Sequence, residues 1–227
     1  MNAYFTKTLK QSVVALCIFT LAFLVCEPAI SSAVEDQFTI TQSVTSEISF
    51  QTPATDIVLS PSLAGITGGT SNGGTQVVVL TNNAAGYTMT LTASSSVGML
   101  GNSQGGNIPA LVAVSGTPNF ALSAASAAPG ANKAAFGYTV EASTTADLDQ
   151  SFKDNGSACN TGAADAADSC WLNASTSAET IINRTTATTA SGATTTLKFR
   201  VVIRSSPSPA ITQDTYVATT TLTATTN

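Results

Sequence analysis

Apolar and polar residues alternate along much of this chain with a period of two. That spacing puts one face of a β-strand in a core and the other in solvent. Phe38, Ile40, Val44, Ile48 and Phe50 share even positions, with Thr39, Thr41, Ser43, Thr45, Glu47 and Ser49 between them. Tyr87, Met89, Leu91 and Ala93 alternate with Thr88, Thr90 and Thr92, and Phe136, Tyr138 and Val140 form a shorter set. Leu197, Phe199, Val201 and Ile203 alternate with Lys198, Arg200, Val202 and Arg204. A last strand is predicted with Tyr216, Ala218, Thr220, Leu222 and Ala224 on one face. Threonine, whose branched Cβ suits a pleated surface, fills 15 of the final 44 positions.

Clusters of Gly, Asn, Ser and Thr at 67–74, 82–86 and 101–107 separate these runs and read as turns. No segment carries a capped period of 3.6; residues 163–169 alone suggest a short helical turn. Eight or nine strands without crossover helices predict an all-β, antiparallel Ig-like β-sandwich. With no repeat and no linker, residues 34–227 are expected to form a single domain, with a disulfide-containing acidic loop near 142–178.

Residues 57–132 contain no Asp, Glu, Lys or Arg, and the whole chain contains no histidine. The missing imidazole removes the usual general base, the commonest metal ligand and any Ser-His-Asp arrangement, so a non-catalytic protein is expected. Residues 1–33 read as a secretory signal peptide. Lys7 and Lys10 precede 15 mostly apolar residues at 12–26, Glu27-Pro28 breaks the run, and Ser31 and Ala33 suit the −3 and −1 positions of a cleavage site. Fifteen residues fall short of the ~20 that span a bilayer; lipid attachment at Cys26 is the competing reading. Cleavage after Ala33 leaves six basic against twelve acidic side chains. An acidic chain without a basic patch excludes nucleic acid as a partner, and no stable membrane insertion is expected after cleavage.

Cleavage also leaves two cysteines, Cys159 and Cys170, which in an oxidising compartment are expected to form a disulfide. Glu141, Asp147, Asp149, Asp154, Asp165 and Asp168 fall within 28 residues around them. The five aspartates, Asp147, Asp149, Asp154, Asp165 and Asp168, are candidate calcium ligands, since hard cations take several carboxylate oxygens. Their spacing fails the D-x-[DN]-x-[DN]-G rule at Ser151, so a solvated acidic loop is the reading adopted, calcium is the alternative, and no metal or other cofactor is expected. Asn155, Asn173 and Asn183 stand in N-x-[ST] sequons, and Lys198 is the lysine weighed for a Lys–Asn isopeptide bond, although alternation puts it on a polar face.

The run Thr81-Asn82-Asn83-Ala84-Ala85-Gly86-Tyr87-Thr88-Met89-Thr90-Leu91-Thr92-Ala93 resembles a strand of small secreted bacterial surface proteins. There, N-x-x-x-G-Y precedes alternating Thr and aliphatics. The ending Thr215-Tyr216-Val217-Ala218-Thr219-Thr220-Thr221-Leu222-Thr223-Ala224 looks like their final strand. WxL-domain proteins and the spore-coat-U and fimbrial-subunit group are similar in this respect, and the resemblance implies Ig-like sandwiches used as surface-layer or pilus building blocks.

The expectation is therefore a secreted structural subunit of a cell surface or of a pilus-like filament, extracellular or surface-bound, whose partner is a further copy of itself. The alternative is a secreted adhesin or carbohydrate-binding module for a cell-surface glycan, with Trp171 and the aspartate-rich region at the ligand. In the first reading the long alternation at 37–51 either belongs to its own sheet or is donated to a neighbour, where Phe38, Ile40, Val44, Ile48 and Phe50 fill successive core positions.

Overall fold

A computed structural model describes residues 11, 12, 14, 15, 35–112, 117–123 and 134–227. Apart from four residues in helical conformation, the signal-peptide reading of 1–33 lies outside the described residues. The chain divides into a unit at Met1–Ser43 and a β unit at Val44–Asn227. In the first, residues 35–43 form no regular element and expose Phe38 and Ile40.

Among its described residues the β unit contains ten strands: β1 (Ile48–Thr52), β2 (Gly69–Thr81), β3 (Tyr87–Ala93), β4 (Gly98–Gly101), β5 (Asn107–Pro109), β6 (Ala134–Ala142), β7 (Glu179–Arg184), β8 (Ala193–Ile203), β9 (Tyr216–Val217) and β10 (Thr220–Thr226). They form sheets of order β1-β2-β8-β6, β10-β3-β7 and β5-β4-β9, antiparallel throughout. The predicted all-β antiparallel sandwich is present, with more strands than the eight or nine expected. Two causes account for the difference. The short β4–β5 hairpin has too few residues to show alternation, and the final run divides at Ala218-Thr219 so that β9 and β10 join different sheets.

The core lies between the first two sheets. Val77, Val79, Leu197, Phe199 and Val201 from one meet Tyr87, Met89, Leu91, Ile181 and Ile182 from the other, all buried. Each large side chain so buried contributes roughly 1.5–3 kcal/mol. Phe136 stacks on Phe199 with centroids 6.1 Å apart, and Tyr138 tilts against Phe152 at 5.8 Å. Strand β6 is buried on both faces, because a smaller cluster of Leu111, Leu122, Ala135, Trp171 and Val202 covers its outer side.

Three local predictions are corrected. Residues 69–74 are strand and not turn: an added Cβ on Gly73 would lie 2.5 Å from Ile57 and 2.8 Å from Leu59, so glycine here admits the segment crossing the sheet. Residues 163–169 are not helical. Ala164 bridges to Asp154, and the two 3₁₀ turns lie earlier, at Thr145–Asp147 and Gln150–Phe152.

The third correction concerns the alternation at 37–51, of which only 48–51, the start of β1, is strand. β1 runs antiparallel to β2 with Ile48 opposite Thr81, where β2 ends. Beyond that point side chains replace the ladder. The Thr81 hydroxyl donates to the Glu47 carbonyl at 2.6 Å, while Asn82 accepts from Glu47 N–H at 2.7 Å and donates to the Thr45 carbonyl at 3.0 Å. Residues 41–47 form no strand.

The hydroxyl of Tyr138 is buried and has no hydrogen-bond partner among the described residues. Tyr138→Phe should therefore raise the unfolding free energy by about 1 kcal/mol, since it removes an uncompensated polar group. Gly86→Ala should lower it by more than about 1 kcal/mol, because φ is +78° and a Cβ would sit 2.1 Å from the Arg184 carbonyl oxygen. Denaturant titration reads both signs, and destabilisation by Tyr138→Phe would contradict the first.

Candidate functional site

The acidic region is built around the disulfide. Cys159 and Cys170 are joined, with Cα atoms 5.6 Å apart. In the chain-entropy account, closing so short a loop contributes about 3 kcal/mol. Asp154 is the hub of this loop. Its backbone forms bridges with Cys159 and Ala164, and its carboxylate accepts from Gly156 N–H at 2.7 Å and Ala166 N–H at 2.8 Å. It is 0 % exposed, which a solvated acidic loop does not anticipate.

Each other aspartate has its own partner. Asp149 caps the second 3₁₀ turn by accepting from Ser151 N–H and Oγ–H. Asp147 pairs with Arg184 at 2.5 Å. Asp165 accepts from Ala142 N–H at 3.2 Å; burial raises its pKa, and that hydrogen bond partly offsets the rise. Asp168 faces Lys198 and Arg200 at 3.0 and 3.6 Å. The five calcium candidates are thus not brought together, and no group of three or more His, Cys, Asp or Glu among the described residues is arranged to hold a metal ion.

On the outer face of β8, Lys198 donates to Glu141 of β6 at 2.5 Å as well as to Asp168. Burial works against the ammonium, but these two carboxylates outweigh it and raise the lysine's pKa. The hydrogen-bond partners of Lys198 are carboxylates, Glu141 and Asp168, and not the Asn of the weighed isopeptide bond. Arg200 donates to Asn72 at 2.6 Å and to the Leu122 carbonyl at 2.9 Å, and lies 4.3 Å above the Trp171 ring. Trp171 itself is 1 % exposed and donates its indole N–H to the Asp168 carbonyl at 2.7 Å. Sealed beneath a guanidinium, this ring cannot stack on a sugar. Such half-exposed ion pairs contribute about 0–1 kcal/mol each.

Among the described residues an apolar cleft of about 860 Å³ is lined by Ile57, Leu59, Leu63, Ile203, Ile211 and Tyr216 among others. Val58, Ile66 and Val217 stand exposed on its rim. β9, an edge strand of its sheet, contributes Tyr216 and Val217. Asp214 fixes this wall to the β4–β5 turn by accepting from Gln104 and Ser103 N–H at 2.7 and 2.9 Å. These backbone donors lower its pKa. No pattern in the sequence marks Asp214, which stands alone in a Ser/Pro-rich stretch.

The five donor-strand candidates divide. Ile48 and Phe50 are half-buried in β1 against the core, whereas Phe38, Ile40 and Val44 lie outside any strand and are 81, 84 and 84 % exposed. Compared with known protein families, curated proteins and solved structures, the chain matches none.

The lowered pKa of Asp214 fixes a sign. The ordering it provides is present above the ordinary carboxylate pKa near 3.9 and is lost as pH falls through its lower folded value. Hydrogen exchange of the Ser103 and Gln104 amides should be slow at neutral pH and accelerate only in strong acid, and Asp214→Asn should accelerate it at every pH. Asp165, whose pKa is raised, has the opposite sign: its ionised form opposes folding above that pKa, and the penalty disappears as pH falls. Fast exchange of both amides at neutral pH in the unsubstituted chain would contradict the assignment.

Proposed function

We propose that this protein is a non-catalytic structural subunit, exported to the cell surface or to a pilus-like filament, that associates with further copies of itself through the segment 38–44. The observation carrying this reading is the exposure of Phe38, Ile40 and Val44 in an alternating stretch that leaves its own sheet. The acceptor on a second copy is the apolar cleft, where β9 offers an unpaired strand edge beside aliphatic walls. Strand addition of this kind draws affinity from backbone hydrogen bonds and register from side chains seated in pockets.

Magnitudes favour the combination. Burying the three side chains contributes roughly 5–9 kcal/mol, and association alone costs about 4–15 kcal/mol. Apolar contact by itself leaves little surplus, so the backbone ladder is needed to hold copies together. The export pattern at 1–33 and the Cys159–Cys170 disulfide support a secreted location. The competing reading, a glycan-binding module, loses its one candidate aromatic platform, because Trp171 lies under Arg200.

The test is a triple substitution, Phe38→Asp, Ile40→Asp and Val44→Asp, in the chain beginning at Val34. Sedimentation velocity should show the unsubstituted protein gaining mass with concentration into the micromolar range, and the variant monomeric with an unchanged melting temperature. An unsubstituted protein that stays monomeric, or a variant that still assembles, would overturn the reading.

A further inference from the structure

The sequon asparagine Asn155 is followed by Gly156, and the loop around this pair arranges groups that the structural role does not use. The Asn155 side-chain oxygen accepts from Ser157 N–H at 3.1 Å, Ser157 Oγ–H at 3.1 Å and Ala158 N–H at 3.0 Å. Three donors converging on one carbonyl oxygen polarise its carbon and are placed to hold negative charge developing on that oxygen. They also turn the side-chain oxygen forward along the chain, toward residues 157 and 158. The Gly156 N–H donates to Asp154 Oδ1 at 2.7 Å, within the reach of a general base. Asp154 is fully buried, and Ala166 N–H holds its other oxygen at 2.8 Å, so the base is fixed in place. Gly156 has φ of +90° and no atom within 4 Å of where a Cβ would be, which leaves the reacting peptide uncrowded.

We propose that Asn155 is a self-modification site, at which the folded loop converts this asparagine to aspartyl and isoaspartyl residues through a cyclic imide. Asp154 takes the amide proton of Gly156. The Gly156 nitrogen then attacks Cγ of Asn155, forming a new C–N bond, with the oxyanion held by Ser157 and Ala158. The Cγ–Nδ2 bond breaks, and ammonia leaves with the proton that Asp154 had taken. One water opens the imide at either carbonyl, so the net change is asparagine plus water to aspartyl or isoaspartyl plus ammonia. The product adds a negative charge next to buried Asp154, and it removes the only atom through which an N-linked sugar joins this sequon.

The chain carries its own control. Asn72-Gly73 is the other Asn-Gly pair, but it lies inside β2 opposite β8, with its side-chain oxygen held by Arg200 Nε at 2.6 Å and, among the described residues, no carboxylate hydrogen-bonded to the Gly73 amide. Peptide mapping of the folded protein during incubation at neutral pH, with isoaspartyl-specific labelling, should show Asn155 converting at least ~10-fold faster than Asn72. In the reduced, urea-unfolded chain the two rates should converge, with Asn155 slower than in the folded state. Asp154→Asn should slow conversion by about 10²-fold, and Ser157→Ala by several-fold. Ser157→Ala removes only an exposed hydroxyl, so it remains informative if the Asp154 variant fails to fold. Conversion of Asn155 no faster in the folded protein than in the unfolded chain, or unchanged by both substitutions, would overturn the proposal.

Discussion

Strand β8 is the constraint on which the rest of this molecule hangs. It carries a ladder of eleven residue pairs with β2 on one side and nine with β6 on the other. Its inward side chains, Leu197, Phe199 and Val201, form the floor of the core. Its outward side chains, Lys198 and Arg200, reach Glu141, Asp168, Asn72 and the Leu122 carbonyl, and so tie the disulfide loop and the cover of β6 to the sheet. Its end at Ile203 forms part of the wall of the apolar cleft. Core, surface network and cleft thus share one strand, and its period of two assigns each residue to its task.

The scarcity of charge follows from the same architecture. Strands buried on one face and faced with threonine on the other need few ionised groups to stay hydrated. Several of the acids stand where irregular backbone needs partners, whereas Arg184, Lys198 and Arg200 stand on strands. Asp154, Asp149 and Asp214 all accept from backbone N–H groups in loops, satisfying donors that a buried or tightly turned segment would otherwise leave unmade.

That division explains what could be read from the sequence. The alternation identified β3 and β8 and their buried faces, because each has a long partner and one dry side; it identified β6 but not the burial of its second face. It misread 37–46, since apolar spacing records a capacity to form a strand and not the presence of backbone to pair with. It misread 69–74 as turn, because glycine chosen for close approach looks the same in sequence as glycine chosen for a turn. The cysteine pair was legible from spacing and composition. The partners of the aspartates were not: Lys198 meets Glu141 across 57 positions and Arg200 meets Asn72 across 128, separations that no local pattern encodes. Trp171, a sugar platform only in the alternative reading, is packed beneath Arg200.

The central claim is that an apolar segment without a place in its own sheet finds one on a second copy. Backbone hydrogen exchange over residues 35–47 and at Tyr216 and Val217, followed as protein concentration is raised, tests it most directly. The account predicts that 35–47 exchange at unprotected rates in dilute protein, and that both stretches gain protection together as assemblies form. Protection of 35–47 in the dilute monomer, or assemblies in which neither stretch is protected, would contradict it.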